Sequence, residues 1–452
     1  MAPRHFPPGF LWGTASSSHQ HEGRNTNNQW WEWEQQAGRI WHGDVSGDAC
    51  GWWHEIEPDL DRAAGLGLNA HRLSLEWSRI EPRDGVFDER AIMRYREMLE
   101  ALRRRRLTPM VTLHHFTNPL WLEAAGAWLD PHTPERFARY VAYAVEKLGD
   151  LCQLWCTVNE PTVYAGMSYL EGLWPPGATS LLLTRKVLEA LLRGHAAAAA
   201  AIHQAGPHHR VGIVHNFHIM RPGTRRLRDV AVARIADEVV NGVMLHALRT
   251  GQLVRPLGAA SRTVAGLRGS CDFFGLNYYS RSWIVFDARA AGWTFSRAYI
   301  PEHVEQSDRN SRGHAYGEIY PSGLHRALKR INRLNLPIYI TETGLPDHDD
   351  DQRPRFLLSH LGEIYRAIQE GVDVRGVFIW SLLDNFEWSE GWELRFGLYA
   401  FDQRTGERRL RPSAALYAIL ARANALPGLD ASRGPRDSSE AEFVAPVSLR
   451  AS

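Results

Sequence analysis

The stretch Leu154 to Pro161, LWCTVNEP, is an apolar run that changes abruptly to Asn159 and Glu160 before a proline closes it. Its density of Leu, Trp, Cys and Val is typical of a strand buried on both faces, as in a parallel sheet covered by helices. A second run, PIYITETG at Pro337 to Gly344, has the same form and carries Glu342 near its end. Both patterns predict a glutamate at the carboxyl end of a buried strand, where α/β folds carry their chemistry.

The two strand-end glutamates, Glu160 and Glu342, predict a pair of carboxylates that face one cleft. A single Glu in such a position is by default a solvated loop residue. A pair is what cleavage of a glycosidic bond requires. One carboxyl group must be protonated to donate to the leaving oxygen, and the other must be ionised to attack or to activate water.

The rest of the chain alternates between strand and helix patterns. Strands are predicted at Phe10–Ala15, Ala70–Glu76, Thr108–His115, Leu154–Glu160, Arg210–Phe217, Phe273–Tyr279, Ile338–Thr341 and Val377–Ser381. Helices are predicted at Pro58–Gly67, Asp88–Arg106, Pro134–Leu148, Leu181–Gln204, Asp229–Arg249, Gly323–Asn335 and Arg355–Gly371. This alternation predicts a single (β/α)8 barrel of the α/β class over residues 1–426, with long loops on the active face.

Two segments fall outside this alternation. Trp283 to Tyr316 has no clear period and is predicted to be an irregular excursion on the active face. Residues 427–452 are rich in Pro, Gly, Ser and mixed charge, and we expect a disordered tail there.

Composition excludes several classes of partner. The 52 Lys and Arg residues against 51 Asp and Glu leave a formal net charge of +1, which favours neither nucleic acid nor an anionic membrane. A neutral small molecule is the better expectation, and the 17 tryptophans supply indole faces of the kind that stack on sugar rings. Most of those tryptophans are expected to fill the core.

The remaining global features point to an intracellular protein. Four cysteines in 452 residues do not make a disulfide framework, and Cys152 and Cys156 are expected to pack as small apolar residues. The first residues, MAPRHFPPGFLWG, lack the apolar core of a signal peptide, and no apolar run of about twenty residues occurs. We therefore expect a cytoplasmic protein.

Seven motifs in order over residues 6 to 420 resemble glycoside hydrolase family 1, the β-glucosidase and β-galactosidase family. They are GFLWGTASSSHQHEG, HRLSLEWSRIEP, VTLHHFTNP, TVNEP, GLNYYS, ITETG and WSLLDNFEW. The resemblance implies that Glu160 is the general acid/base and that Glu342 is the nucleophile, with Arg72 and Asn277 supporting the nucleophile. It implies no metal and no cofactor.

The resemblance also implies the residues that bind the sugar, namely Gln20, His115, Asn159, Tyr279, Trp380, Glu387 and Trp388. Gln20 and Glu387 would distinguish glucose from galactose at O4, and Trp380 would form the floor under the ring. Considered without the family, Trp380 and Trp388 could equally be core residues and Gln20 a loop residue.

Three positions depart from the usual family pattern: Thr343 follows the nucleophile where Asn is usual, and Phe116 and Gly317 stand where Trp is common. None of them removes a reacting group. Because Phe116 and Gly317 offer less aromatic surface than Trp, we expect a wider leaving-group site with weaker stacking.

These observations predict a retaining exo-β-glycosidase that acts on small β-glycosides or oligosaccharides, chiefly β-glucosides, with some activity on β-galactosides and β-fucosides. A 6-phospho-β-glycosidase on the same fold is the nearest alternative, and an ionised Glu387 would repel its phosphate. A non-catalytic sugar-binding relative is the other, and such relatives lose one of the two glutamates. Retention requires the two carboxyl groups to lie about 5–5.5 Å apart.

Overall fold

Eight parallel strands close into one barrel. The structure, a computed structural model, describes residues 3–253, 262–290 and 295–428. The barrel strands, named β1 to β8 in chain order, are Leu11–Ala15, Ala70–Ser74, Thr108–His114, Leu154–Asn159, Arg210–Asn216, Phe273–Asn277, Ile338–Thr343 and Val374–Trp380. Each strand pairs with the next along the chain, and β8 pairs with β1. The predicted (β/α)8 barrel is confirmed.

Strand ends differ from the predicted ones by a few residues. Strands β2 to β6 and β8 end one or two residues earlier than predicted, because their last predicted residues already belong to the loops at the barrel mouth, and β7 ends two residues later, at Thr343. Strand β8 begins at Val374, three residues before the prediction. Exposed Arg375 interrupts the apolar run there and hides the start of the strand.

Helices follow all eight strands and cover the outside of the barrel. The main ones are Glu57–Gly65, Glu89–Arg104, Thr133–Leu148, Leu181–Ala205, Leu227–Asp237, Val243–Thr250, Pro321–Ile331, Arg353–Gln369 and Pro412–Ala423. The helix predicted over Asp229–Arg249 is two helices joined by a π-helical turn at Glu238–Gly242. None of the helices in the described ranges is long and apolar enough to cross a membrane.

The core has two layers. Between strands and helices lies a large apolar cluster that includes Val111, Trp155 and Ile340. Inside the barrel a smaller cluster, with Met110 and Cys156 among its members, supports the floor of the mouth. Cys152 and Cys156 are free and buried, as expected from the sequence.

The excursion predicted to be irregular contains regular structure. Strand Arg281–Phe286 pairs in parallel with Ile219–Pro222 and antiparallel with Ser296–Tyr299, forming a three-stranded sheet outside the barrel. Much of this sheet is only partly buried, so its side chains do not alternate clearly between apolar and polar. Of the predicted tail, residues 427 and 428 are described, and 429–452 lie outside the described residues.

Candidate active site

The mouth of the barrel holds a cavity of about 440 Å³ at the carboxyl ends of the strands. Seven sequence-predicted residues line it together with both glutamates: Gln20, His115, Asn159, Tyr279, Trp380, Glu387 and Trp388. The carboxyl ends of the barrel strands and the loops that follow them therefore bring together side chains that are far apart in sequence. A second depression of about 660 Å³ lies at the opposite end of the barrel, around Pro8, Arg106 and Arg375.

Glu342 receives two hydrogen-bond donors. The fully buried Arg72 guanidinium forms an ion pair with its Oε1, and the Tyr279 hydroxyl donates to its Oε2 at 2.8 Å. Arg72 is itself fixed, because Nε donates to Thr112 Oγ1 at 2.9 Å and Nη2 donates to Asn159 Oδ1 at 2.7 Å. Glu342 is thus held by one charged and one neutral donor.

Glu160 has a different environment. Burial raises the pKa of its carboxyl group to about 8, and the negative charge of Glu342 contributes to the same shift. Asn277 Nδ2 donates to its Oε1 at 2.6 Å. Its backbone lies in the left-handed region at φ 47°, a conformation that costs a residue other than glycine about 1–3 kcal/mol and is concentrated at functional sites.

The Asn277 side chain lies nearer the other carboxyl group, that of Glu160. The sequence resemblance placed it beside Glu342, but its side-chain donor contacts Glu160 Oε1 and Asn159 Oδ1, at 2.6 and 3.3 Å. Its oxygen accepts from Thr341 Oγ1 at 2.8 Å. The amide therefore turns toward β4, and its backbone alone pairs with Glu342.

The hydrogen bonds of Asn159 determine which ring nitrogen of His115 carries the proton. Arg72 can only donate, so the Asn159 oxygen faces it and the Asn159 Nδ2 faces His115 Nε2 at 3.3 Å. His115 Nε2 must then accept, and the proton lies on Nδ1, which has no partner among the described residues. Burial lowers the pKa of His115 well below its usual value and keeps the ring neutral. The His115 Nδ1 atom is itself buried, while His114 contacts Asn118 and Trp128 outside the barrel.

Glu387 and Gln20 meet at the far side of the cavity. Gln20 Nε2 donates to Glu387 Oε2 at 3.2 Å, and the Trp380 indole nitrogen donates to the same oxygen at 3.4 Å. Burial raises the pKa of Glu387 to about 8. Trp388 stacks on His19, with ring centroids 5.9 Å apart.

The model for glycosyl hydrolase family 1 matches residues 2–426. The chain belongs to glycosyl hydrolase family 1. It is 30% identical to β-glucosidase A of Thermotoga maritima, over 94% of this chain and 100% of that protein. It is 31% identical to a β-galactosidase of Sulfolobus acidocaldarius, over 93% of this chain and 96% of the other.

Solved structures of family 1 enzymes share the fold. A β-glycosidase from Pyrococcus horikoshii superposes with a TM-score of 0.86 at 37% identity, covering 94% of this chain and 97% of that one. A β-glucosidase from Thermotoga maritima in complex with glucoimidazole superposes with a TM-score of 0.87 at 29% identity, covering 94% of this chain and all of that one. This family 1 chain is thus a glycoside hydrolase with a sugar-sized site.

Gly317 does not border the site of this family 1 chain, contrary to the sequence expectation. It is buried, and a Cβ placed on it would lie 2.5 Å from Ser280 Oγ. The preceding residue, Tyr316, lines the cavity instead and packs edge-on against Phe396 at 5.2 Å and Tyr279 at 5.8 Å. The aromatic ring at this part of the cavity is therefore supplied by residue 316 and not by residue 317.

Further lining residues escaped the sequence reasoning: Val163, Met167, Trp174, Asn216, Asn310, Arg312, His314, Ala315, Ser389, Glu390 and Leu394. Only Asn216 had a signal that could have found it, because it ends an apolar strand as Asn159 does. The others lie on loops or on the helix after β4, and their position depends on long-range packing. Arg312, for example, lines the cavity and forms an ion pair there with Glu390, which is far away in sequence.

Proposed function

We propose that this family 1 hydrolase is a retaining exo-β-glycosidase that removes terminal β-D-glucosyl residues and also accepts β-galactosyl and β-fucosyl residues. The observation that carries the proposal is the contrast between two carboxyl groups in one cavity. Glu342 holds an ion pair and a hydroxyl donor, whereas Glu160 is buried with a pKa raised to about 8. Such a contrast separates a nucleophile from an acid.

In the first step Glu342 attacks the anomeric carbon while Glu160 donates its proton to the leaving oxygen. The bond between sugar and leaving group breaks as the bond to Glu342 forms, giving a covalent glycosyl-enzyme. In the second step Glu160, now ionised, removes a proton from water, and the resulting attack releases the sugar from Glu342. Arg72 and Tyr279 stabilise the carboxylate that leaves.

Exo action is supported by the closed far side of the cavity. Gln20 and Trp380 both donate to Glu387 there and leave a polar end wall that suits the hydroxyl groups of a terminal sugar. The relatives of this chain include both a β-glucosidase and a β-galactosidase, which supports tolerance at O4.

A 6-phospho-β-glycosidase activity is less well supported, although the argument that Glu387 would repel the phosphate is weakened by the structure. With a pKa of about 8, Glu387 is largely protonated near neutral pH and repels phosphate little. The remaining argument is the lack of a free cation, because the lining guanidinium within the described ranges, Arg312, is paired with Glu390. A non-catalytic sugar-binding role is disfavoured because both glutamates are present and both face the cavity.

The test uses three alanine variants and an aryl β-glucoside with a good leaving group. Glu342→Ala should lose on the order of 10⁴ or more in kcat, and azide should restore turnover to give the α-glucosyl azide. Glu160→Ala should retain much of its first step, because a good leaving group needs little protonation, and azide should give the β-glucosyl azide.

Exposed Glu146, on the outer helix Thr133–Leu148, is the matched control, and Glu146→Ala should match the unaltered protein. Azide products of the opposite configurations would reverse the two roles. Equal activity of all three variants would refute the proposed function.

A further inference from the structure

A depression of about 660 Å³ opens at the amino-terminal end of the barrel, opposite the two glutamates, and the proposed mechanism does not use it. Leu11, Leu154 and Tyr339, from the cluster inside the barrel, line this basal depression. Phe10 and Val372 add further apolar surface. A volume of this size with mainly apolar walls suits a small organic molecule.

The charges that line the basal depression are not balanced. Three guanidinium groups lie there with a single carboxylate, that of Asp373, which Arg375 holds at 2.9 Å. Arg103 donates to the Leu151 carbonyl oxygen at 3.3 Å, and neither Arg103 nor Arg106 has a carboxylate partner within the described part of the chain. This excess of positive charge favours an anionic ligand.

The four consecutive arginines at 103–106 divide into two kinds. Arg104 pairs with Glu57 at 3.0 Å, and Arg105 pairs with Glu57 and Asp61 at 2.9 and 2.6 Å. None of these four residues lines the basal depression. A basic helix end that is simply solvated does not require this division, in which the two arginines without a carboxylate are the two that line a cavity.

We propose that the basal depression binds a small aromatic carboxylic acid in its ionised form. The carboxylate pairs with Arg106 and Arg103, because a guanidinium presents N–H donors in the geometry that a carboxylate accepts. The ring lies on the apolar base at Leu11, Leu154 and Tyr339, where it loses less conformational freedom than an acyl chain. Because the depression and the cavity of the glutamates lie at opposite ends of the barrel, the acid and a glycoside bind without competition.

The test measures the binding of cinnamate to the full chain by equilibrium dialysis. Cinnamate should bind with a Kd of about 1 mM or tighter. Cinnamamide, which has the same shape without the charge, and acetate, which has the charge without the ring, should each bind at least about tenfold more weakly. These comparisons use the unaltered protein and do not depend on the folding of a variant.

Two neighbouring substitutions locate the bound acid. Arg106→Gln should weaken cinnamate binding at least about tenfold, because the carboxylate loses a charged partner. Arg104→Gln is the matched control, since Arg104 is an exposed residue of the same run that pairs with Glu57 and does not line the depression, and it should change the Kd less than about twofold. Saturating cinnamate should leave the KM for an aryl β-glucoside unchanged.

Each of four results would overturn the proposal. They are no binding of cinnamate at 10 times the expected Kd, equal binding of cinnamate and either analogue, equal effects of the two substitutions, and competitive inhibition of glucoside cleavage with an inhibition constant equal to the Kd. The last result would place the acid in the barrel mouth.

Discussion

At the scale of single residues, two identical side chains acquire different chemistry from what surrounds them. Glu342 meets a guanidinium and a hydroxyl, whereas Glu160 is buried and meets one amide donor. The sequence could predict both glutamates and the arginine, because strand-end positions converge in a barrel. It could not predict that Asn277 serves Glu160, because side-chain direction at a strand end depends on the loop that follows.

The raised pKa of Glu160 predicts the alkaline side of the pH profile. Its carboxyl group must be protonated to act as an acid, so kcat/KM on a poor leaving group should fall as pH rises past about 8. With a good leaving group, Glu160→Ala should lose this limb. If the limb persists there, Glu387, whose pKa is also raised to about 8, controls it instead.

Tyr316 and Gly317 give opposite predictions for neighbouring positions. Tyr316→Ala removes a ring from the cavity and should raise KM for aryl glucosides roughly two- to tenfold with little change in kcat. Gly317→Ala pushes a Cβ against Ser280 and should lower the free energy of unfolding by about 1–3 kcal/mol with KM unchanged. Steady-state kinetics and denaturant unfolding of both variants measure this, and a KM effect confined to Gly317→Ala would contradict it.

At the scale of elements, the loop after β8 carries Glu387 and is anchored by a buried ion pair between Asp384 and Arg411. Arg411, just before the last helix, donates to both carboxylate oxygens of Asp384 at 2.8 and 3.0 Å. The Gly397 N–H donates to the same carboxylate at 2.8 Å. The motif WSLLDNFEW indicates the loop, but a support so distant in sequence leaves no local pattern.

Arg411→Met should leave the Asp384 carboxylate buried without its cation and lower the free energy of unfolding by about 3–5 kcal/mol. KM should rise as well, because Asp384 stands three residues before Glu387. Adding Asp384→Asn should recover part of the lost stability. The control is Arg375→Met, which breaks a half-exposed pair with Asp373 and should cost less than about 1 kcal/mol. Equal costs for the two pairs would refute the role of the buried one.

At the scale of the whole molecule, the barrel was predictable because its apolar runs recur at regular intervals with helices between them. The three-stranded sheet around Arg281–Phe286 was not, since a partly exposed sheet outside the barrel lacks a clear alternation of apolar and polar residues. The part of the cavity wall that Asn310 and Arg312 form could not be predicted from the sequence either. Its placement depends on contacts with Glu390, about eighty residues away in sequence.

The central claim is that Glu342 and Glu160 act by two successive displacements, and the configuration of the first product tests it most directly. A β-glucoside is added to the enzyme at high concentration, and the anomeric proton of the released glucose is followed by NMR before mutarotation. The account predicts that β-glucose appears first and the α anomer later. Initial release of α-glucose would show a single displacement by water and would contradict the account.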